Sequence, residues 1–141
     1  MIDINTPLQK AFYDAIVTTG VPVYEGEEPD DLTAPIYAVI QDVQSQDAGD
    51  LNTRARQAQV TVSVHSWKLK YNNSADLNTS VGLILGALLP GTSSALDLTG
   101  SGLQMVTMSL QSDITQRLGK IGGREYISRI LIFNSKIVVN S

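Results

Sequence analysis

The fold is decided by residues 58–67, which read AQVTVSVHSW. Ala58, Val60, Val62 and Val64 alternate strictly with polar residues, and a period of two is typical of a strand with one buried face. β-branched side chains suit a pleated surface, and a one-residue slip in pairing would turn the valines toward water. We therefore expect a central sheet strand with a fixed register.

Other strands are predicted on both sides of this stretch. Residues 34–43 are apolar on both faces through Ile40, which favours an interior strand. Residues 21–24 predict a short edge strand, because Pro22 cannot donate a hydrogen bond to a neighbouring strand. Strands are also expected over residues 96–99, 103–118 and 124–133, with a final short one over 136–139. Within 103–118, the residues expected to share one face are Gln104, Val106, Met108 and Leu110.

Two helices are predicted from apolar residues at helical spacing. The first opens at Thr6, which can cap free amide groups, and ends near Gly20. The second covers residues 74–89, where Gly82 and Gly86 are expected to allow close packing on the sheet. The predicted buried stripes are Leu8, Phe12, Ala15 and Ile16 in the first helix, and Leu77, Val81, Ile84, Leu85 and Leu88 in the second.

The order of these elements is α-β-β-β-α-β-β, with one further strand at the end. Each helix has a single apolar stripe, so both can cover the same face of a sheet. The predicted fold class is α+β: a two-layer domain with a largely antiparallel sheet and two helices packed on one face. No internal repeat or linker divides the chain, so we expect one domain over residues 1–141.

Composition narrows the classes of function. Cysteine is absent, which removes disulfides, thiolate nucleophiles and cysteine metal sites. The formal net charge of -4 disfavours general nucleic-acid binding, which needs clustered lysine and arginine. The longest nearly unbroken apolar run, residues 81–89, is much shorter than the ~20 residues that span a bilayer. We therefore expect a soluble protein without a membrane partner.

Two loops raise the question of a ligand. Residues 25–31 contain five acids, but they lack the spacing of a calcium loop, so a solvated acidic loop is the preferred interpretation over a Ca²⁺ or Mg²⁺ site. Residues 119–123 are rich in glycine, but a strand follows them, whereas a phosphate-binding loop opens a helix. We expect a hairpin tip there, and no metal or cofactor anywhere.

A catalytic centre is not predicted either. His65 and Ser66 pair a base with a hydroxyl in the sequence, but neighbours in a strand point to opposite faces. We therefore expect a solvated or partner-facing His65 and no enzyme activity.

The order of features resembles a known family. A helix is followed by VPVY and an acidic loop at 21–31, by APIYAVI at 34–40, by VTVSVHSW at 60–67 and by a second helix. This arrangement, over residues 8–133, resembles phage tail-completion proteins of the tail terminator type. The tail after Phe133 departs from the pattern of that family.

The resemblance implies a structural virion protein. Such a protein forms a ring, usually a hexamer, at the head-proximal end of the tail tube, where it ends tube polymerisation. Its partners are further copies of itself, the tail tube protein and a neck or head-completion protein, and DNA passes the lumen without specific binding. It assembles in the host cytoplasm and ends in the virion. The alternatives are another neck or minor tail component, or a monomeric ligand-binding domain.

The polar segment 44–57 separates two strong strands and predicts either a hairpin arm or a mobile loop. We expect residues 47–57 to contact a neighbouring subunit or the tube, since a polar segment on rigid anchors can order against a partner. The candidate interface residues are Asp47, Asp50, Arg54 and Arg56, with Glu27, Glu28, Asp30 and Asp31 as the acids expected on the next subunit.

Overall fold

A computed structural model of the chain describes residues 4–26, 35–41, 43–47, 55–67, 73–89, 96, 98, 102–121 and 124–139. Two helices and six strands lie in these ranges, so the chain has the predicted α+β fold. In chain order the elements are α1 (Asn5–Val17), β1 (Val23–Glu25), β2 (Ile36–Ile40), β3 (Gln44–Asp47), β4 (Ala55–Ser66), α2 (Asn73–Leu88), β5 (Leu103–Ile121) and β6 (Arg124–Val139).

The strands form one sheet in the order β1-β2-β4-β6-β5. β1 pairs with β2 in parallel, and every other pairing is antiparallel. β3 also pairs with β4, beyond the end of β2 and on the same side of β4. The lower half of the sheet, which we define by β3 and the strand segments level with it, therefore has the order β3-β4-β6-β5.

β4 is the central strand that its alternation predicts, and it begins at Ala55 rather than at residue 58. Val60, Val62 and Val64 are fully buried against the helices. The partner strands contribute residues from the same rows, as in the triplet of Ile40, Val62 and Leu131. A one-residue slip of β4 would break all these contacts at once, which explains the fixed register.

α1 packs Leu8, Phe12 and Ile16 of its predicted stripe into the core, whereas Ala15, the fourth member, is only partly buried. The ring of Phe12 meets that of Phe133 edge-on at 5.5 Å. The predicted cap at Thr6 is wrong, because the helix begins one residue earlier, at Asn5, and Thr6 lies within its first turn. The helix ends at Val17. Gly20, with a φ of 85°, then turns the chain toward β1 in a conformation that glycine adopts without strain.

α2 buries Leu77, Val81, Ile84 and Leu88 on the same face of the sheet as α1. Leu85, predicted to be at the centre of this stripe, is only partly buried at its margin. The expected close packing at Gly82 and Gly86 is also wrong, because both glycines are exposed and an added Cβ atom would meet no atom within 4 Å. The stripe is narrower than its apolar residues suggest, since the sheet covers only one side of the helix.

β5 and β6 form the long antiparallel hairpin that the strands over 103–118 and 124–133 predict, and it differs from that prediction in two respects. β6 continues without interruption to Val139, so the separate strand predicted over 136–139 is its C-terminal end. β5 has register shifts between Met105 and Thr107, between Leu110 and Ser112, and between Arg117 and Gly119. The first shift separates Val106, which is 48% exposed, from the buried Met108, so the predicted four-residue face is broken.

The strand predicted over residues 96–99 is not present at its two described positions. Leu96 and Leu98 are buried in the core, but neither has strand geometry. Their apolar character therefore reflects burial rather than strand pairing. A short pattern of leucines is the same in both cases.

Candidate assembly surfaces

The predicted arm is a hairpin where it is described. β3 pairs with the start of β4, and this pairing places Asp47 opposite Arg56. Arg56 is half-buried, and its Nη2 atom donates to the Ser45 Oγ atom at 3.4 Å. The sheet therefore places two of the eight candidate interface residues directly opposite each other on paired strands of one chain.

The other candidates are Asp50, Arg54, Glu27, Glu28, Asp30 and Asp31, and all six lie outside the described residues. The contact between this arm and a neighbouring subunit stays a prediction, as does the solvated character of the acidic loop. Among the residues in the described ranges, no three metal-ligating side chains are close enough to hold an ion. No described helix is long and apolar enough to cross a membrane.

The sheet face opposite the helices, which we call the outer face, carries mostly amide and hydroxyl groups in its lower half. They line a shallow groove of about 540 Å³ across β3, β4, β6 and β5. Gln59 donates from its Nε2 atom to the Gln111 Oε1 atom at 3.1 Å across the groove. The polar side chains on the outer face of this groove are Gln44, Gln57, Gln59, Thr107, Ser109, Gln111, Asn134 and Lys136.

Among the described residues that line this groove, the polar side chains are amides, hydroxyls and one lysine, and none is a carboxylate. Each amide provides both donors and an acceptor, so the surface suits a hydrated or backbone-like partner better than a charged one. Sequence reasoning did not identify it. The polar residues of β4 alternate visibly, but those of β3, β5 and β6 join them only through long-range pairing.

In its upper half, near β1, the outer face carries a row of aromatic rings. Tyr24 contacts Tyr37 edge-on at 6.1 Å, and Tyr37 packs on the His65 ring at 5.2 Å. The His65 Nδ1 atom lies 2.7 Å from the Ser128 Oγ atom. The ring is therefore held by its own chain at Nδ1, while the residue is only half-buried, so the solvated or partner-facing side of His65 stays a prediction.

The pairing of His65 with Ser128 raises a catalytic possibility that the neighbouring Ser66 did not offer. A serine nucleophile must reach a substrate, whereas the Ser128 residue is only 4% exposed. The geometry fits a hydrogen bond that fixes the ring between β4 and β6. No signal in the sequence links the two residues, which are 63 positions apart.

A polar cluster ties the middle of the β5–β6 hairpin to α2. The Arg129 guanidinium donates to both carboxylate oxygens of Asp113 and, at 3.0 Å, to the Asn78 Oδ1 atom. The side chains of Arg129 and Asp113 are 17% and 26% exposed. This fork joins three elements, so it holds the hairpin against the helix layer.

Comparison with known proteins gives a result only at the level of the fold. No protein-family model and no curated protein matches the sequence. One solved structure that matches is described as the virion of a native gene transfer agent (GTA) particle. The chains superpose with a TM-score of 0.68 over 93% of this chain and 94% of that one, at 19% sequence identity. The two chains share a fold.

This correspondence covers both chains almost completely, so it extends well beyond any single element of the fold. The likeness therefore does not arise from one common motif such as a hairpin. At this level of identity it says nothing of which residues act in either protein.

Proposed function

We propose that this chain is a structural subunit of a virion. It forms a ring at the head-proximal end of a tail tube. The resemblance to tail terminators implies six copies in this ring. There it ends tube polymerisation and joins the tail to the neck, without enzymatic turnover. It assembles in the host cytoplasm with the tail tube protein and a neck or head-completion protein.

The observation that carries this proposal is the structural match to a chain of a virion particle, which covers nearly all of both chains at a TM-score of 0.68. Folds host many functions, so the fold alone supports only the class of virion component. The tail terminator role rests on the order of short motifs over residues 8–133, which resembles that family.

Charge supports the proposed passage of DNA. The net charge of -4 leaves no excess of cations to hold a polyanion, and among the described residues that line the outer-face groove only Lys136 is cationic. A subunit that lets DNA pass should bind it weakly, and this composition is suited to that.

The test is assembly of the purified chain with the tail tube protein from the same virus. We expect electron microscopy to show rings at one end of the tubes, and tube lengths that stop increasing once the chain is added. Tubes of unrestricted length with the chain bound elsewhere would instead favour a neck or minor tail component. A protein that stays at 15.2 kDa by native mass spectrometry, with or without tubes, would favour a monomeric domain.

A further inference from the structure

The two outermost strands of the main sheet order differ sharply in how they protect their edges. β1 has three residues, follows Pro22 and ends in the exposed Glu25. Short length, proline and charge are the devices that keep an edge strand from pairing with another chain. β5 has 19 residues, which corresponds to about 60 Å of extended chain.

The first part of β5 lacks these three devices. Residues 103–112 read LQMVTMSLQS and contain neither a charged residue nor proline. Val106 is 48% exposed on this strand, and among the described strands only β6 pairs with β5. A long, uncharged edge of this kind is a template for a further strand. Register shifts of the β-bulge kind can also protect an edge, and two of them lie in this segment, between Met105 and Thr107 and between Leu110 and Ser112. Between these shifts, residues 107–110 pair with β6 in one regular register over four residues, which is the length of β3.

A second edge without a partner strand lies at the same level of the described sheet, and it is short, since β3 has four residues and ends in Asp47. In the described part of the sheet, β3 pairs only with β4, which leaves its other side without a strand. One row of paired residues crosses the four strands from Gln44 in β3 through Gln59 and Asn134 to Ser109 in β5. β3 and the uncharged part of β5 are therefore the two opposite edges of the four-stranded lower half.

The direction of these strands decides how copies would join. β3, β4, β6 and β5 alternate in direction, so β3 and β5 run opposite to each other. When a neighbouring copy is placed in the same orientation, as in a ring, its β3 lies antiparallel to the β5 of the first copy. Antiparallel pairs are the slightly more stable kind, and each junction uses two different patches, as ring closure requires.

We propose that residues 103–112 of β5 form an antiparallel pair with β3 (Gln44–Asp47) of a second copy of this chain. The sheet then continues from subunit to subunit, and the amide groups of the outer-face groove continue with it. This inference rests on the proposed ring and identifies its subunit contact.

Engineered cysteines provide the first test, because the natural chain has none. Gln44→Cys is combined in turn with Thr107→Cys and Ser109→Cys, all at exposed positions on the outer face. Within one chain, β3 and β5 are three strand spacings apart, about 14 Å, which is too far for a disulfide. We expect oxidation or a short bismaleimide to give a ladder of covalent oligomers up to the closed ring, resistant to SDS.

The three single-cysteine variants are the matched controls, and none should cross-link. Efficient dimers of Ser109→Cys or Thr107→Cys alone would show that β5 pairs with β5, which overturns the proposal. A ladder that forms only with the tail tube protein's cysteine variants would assign the β5 edge to that partner, and this also overturns it.

Lysines on the edge provide the second test, which does not depend on the register. Val106→Lys with Ser109→Lys should abolish rings while circular dichroism shows a folded monomer, because charge on an edge blocks strand addition. Val17→Lys with Leu83→Lys is the control, since these residues are 47% and 51% exposed on the helices, and its rings should persist. Rings of the edge variant at wild-type yield would overturn the edge pairing alone. Absence of rings in the wild type, with and without tubes, would overturn both this contact and the proposed function.

Discussion

The two faces of the same strands carry different residues. On the helix-covered face, β6 presents Ile127, Leu131, Phe133 and Ile137, all buried. On the outer face of its lower half, the same strand presents the exposed Asn134 and Lys136 among amides and hydroxyls. The first set stabilises the fold through burial of apolar area, and the second set adds little to folding. The comparison separates residues needed to fold from residues left for assembly.

The largest expected effect breaks the covered face. Ile84 is fully buried in α2, so Ile84→Asp would remove its packing and bury an unpaired charge. We expect a loss of at least about 3–5 kcal/mol, against a total free energy of unfolding of ~5–15 kcal/mol. Chemical denaturation measures the loss.

Leu83→Asp is the matched control, one residue away and on the solvent side of α2 at 51% exposure. Its free energy of unfolding should change by no more than about 0.5 kcal/mol. Equal losses in the two variants would mean that α2 is not seated on the sheet as described. Leu85→Asp should fall between them, because Leu85 is partly buried.

An intermediate effect is expected at the junction of the hairpin and the helix layer. Arg129→Met removes the fork to Asp113 and the hydrogen bond to Asn78, and we expect a loss of about 1–3 kcal/mol. Arg129→Lys keeps the charge without the planar fork and should recover only part of the stability. Thermal denaturation of Arg129→Met, Asp113→Asn and the double variant gives the coupling energy of the pair. Full stability of Arg129→Met would show that the cluster is not a structural link.

The smallest effect is expected on the outer face. Gln59→Ala and Gln111→Ala each break one exposed amide hydrogen bond, so the free energy of unfolding should shift by about 0.5 kcal/mol or less. Urea denaturation of both single variants and of the double variant tests this. A loss above about 1 kcal/mol would mean that the groove contributes to folding, and the contrast between the faces would fail.

The alternation of residues 58–67 and the helical stripes determined the fold class from the sequence alone. Periodicity is local, because each side chain's direction depends only on its place in a strand or helix. For this reason β4, both helices and the covered face could be predicted. The absence of cysteine and the negative net charge likewise limited the classes of function.

Tertiary structure decided what depends on distant pairing. The register shifts of β5 placed Val106 and Met108 in different environments, and the width of sheet under α2 left Leu85 partly buried. The same holds for the contact of His65 with Ser128 and for the positions of β3 and β5 at the edges of the described sheet. A strand's sequence predicts that it pairs, but whether it lies at an edge depends on the strands that reach it, and these come from remote parts of the chain.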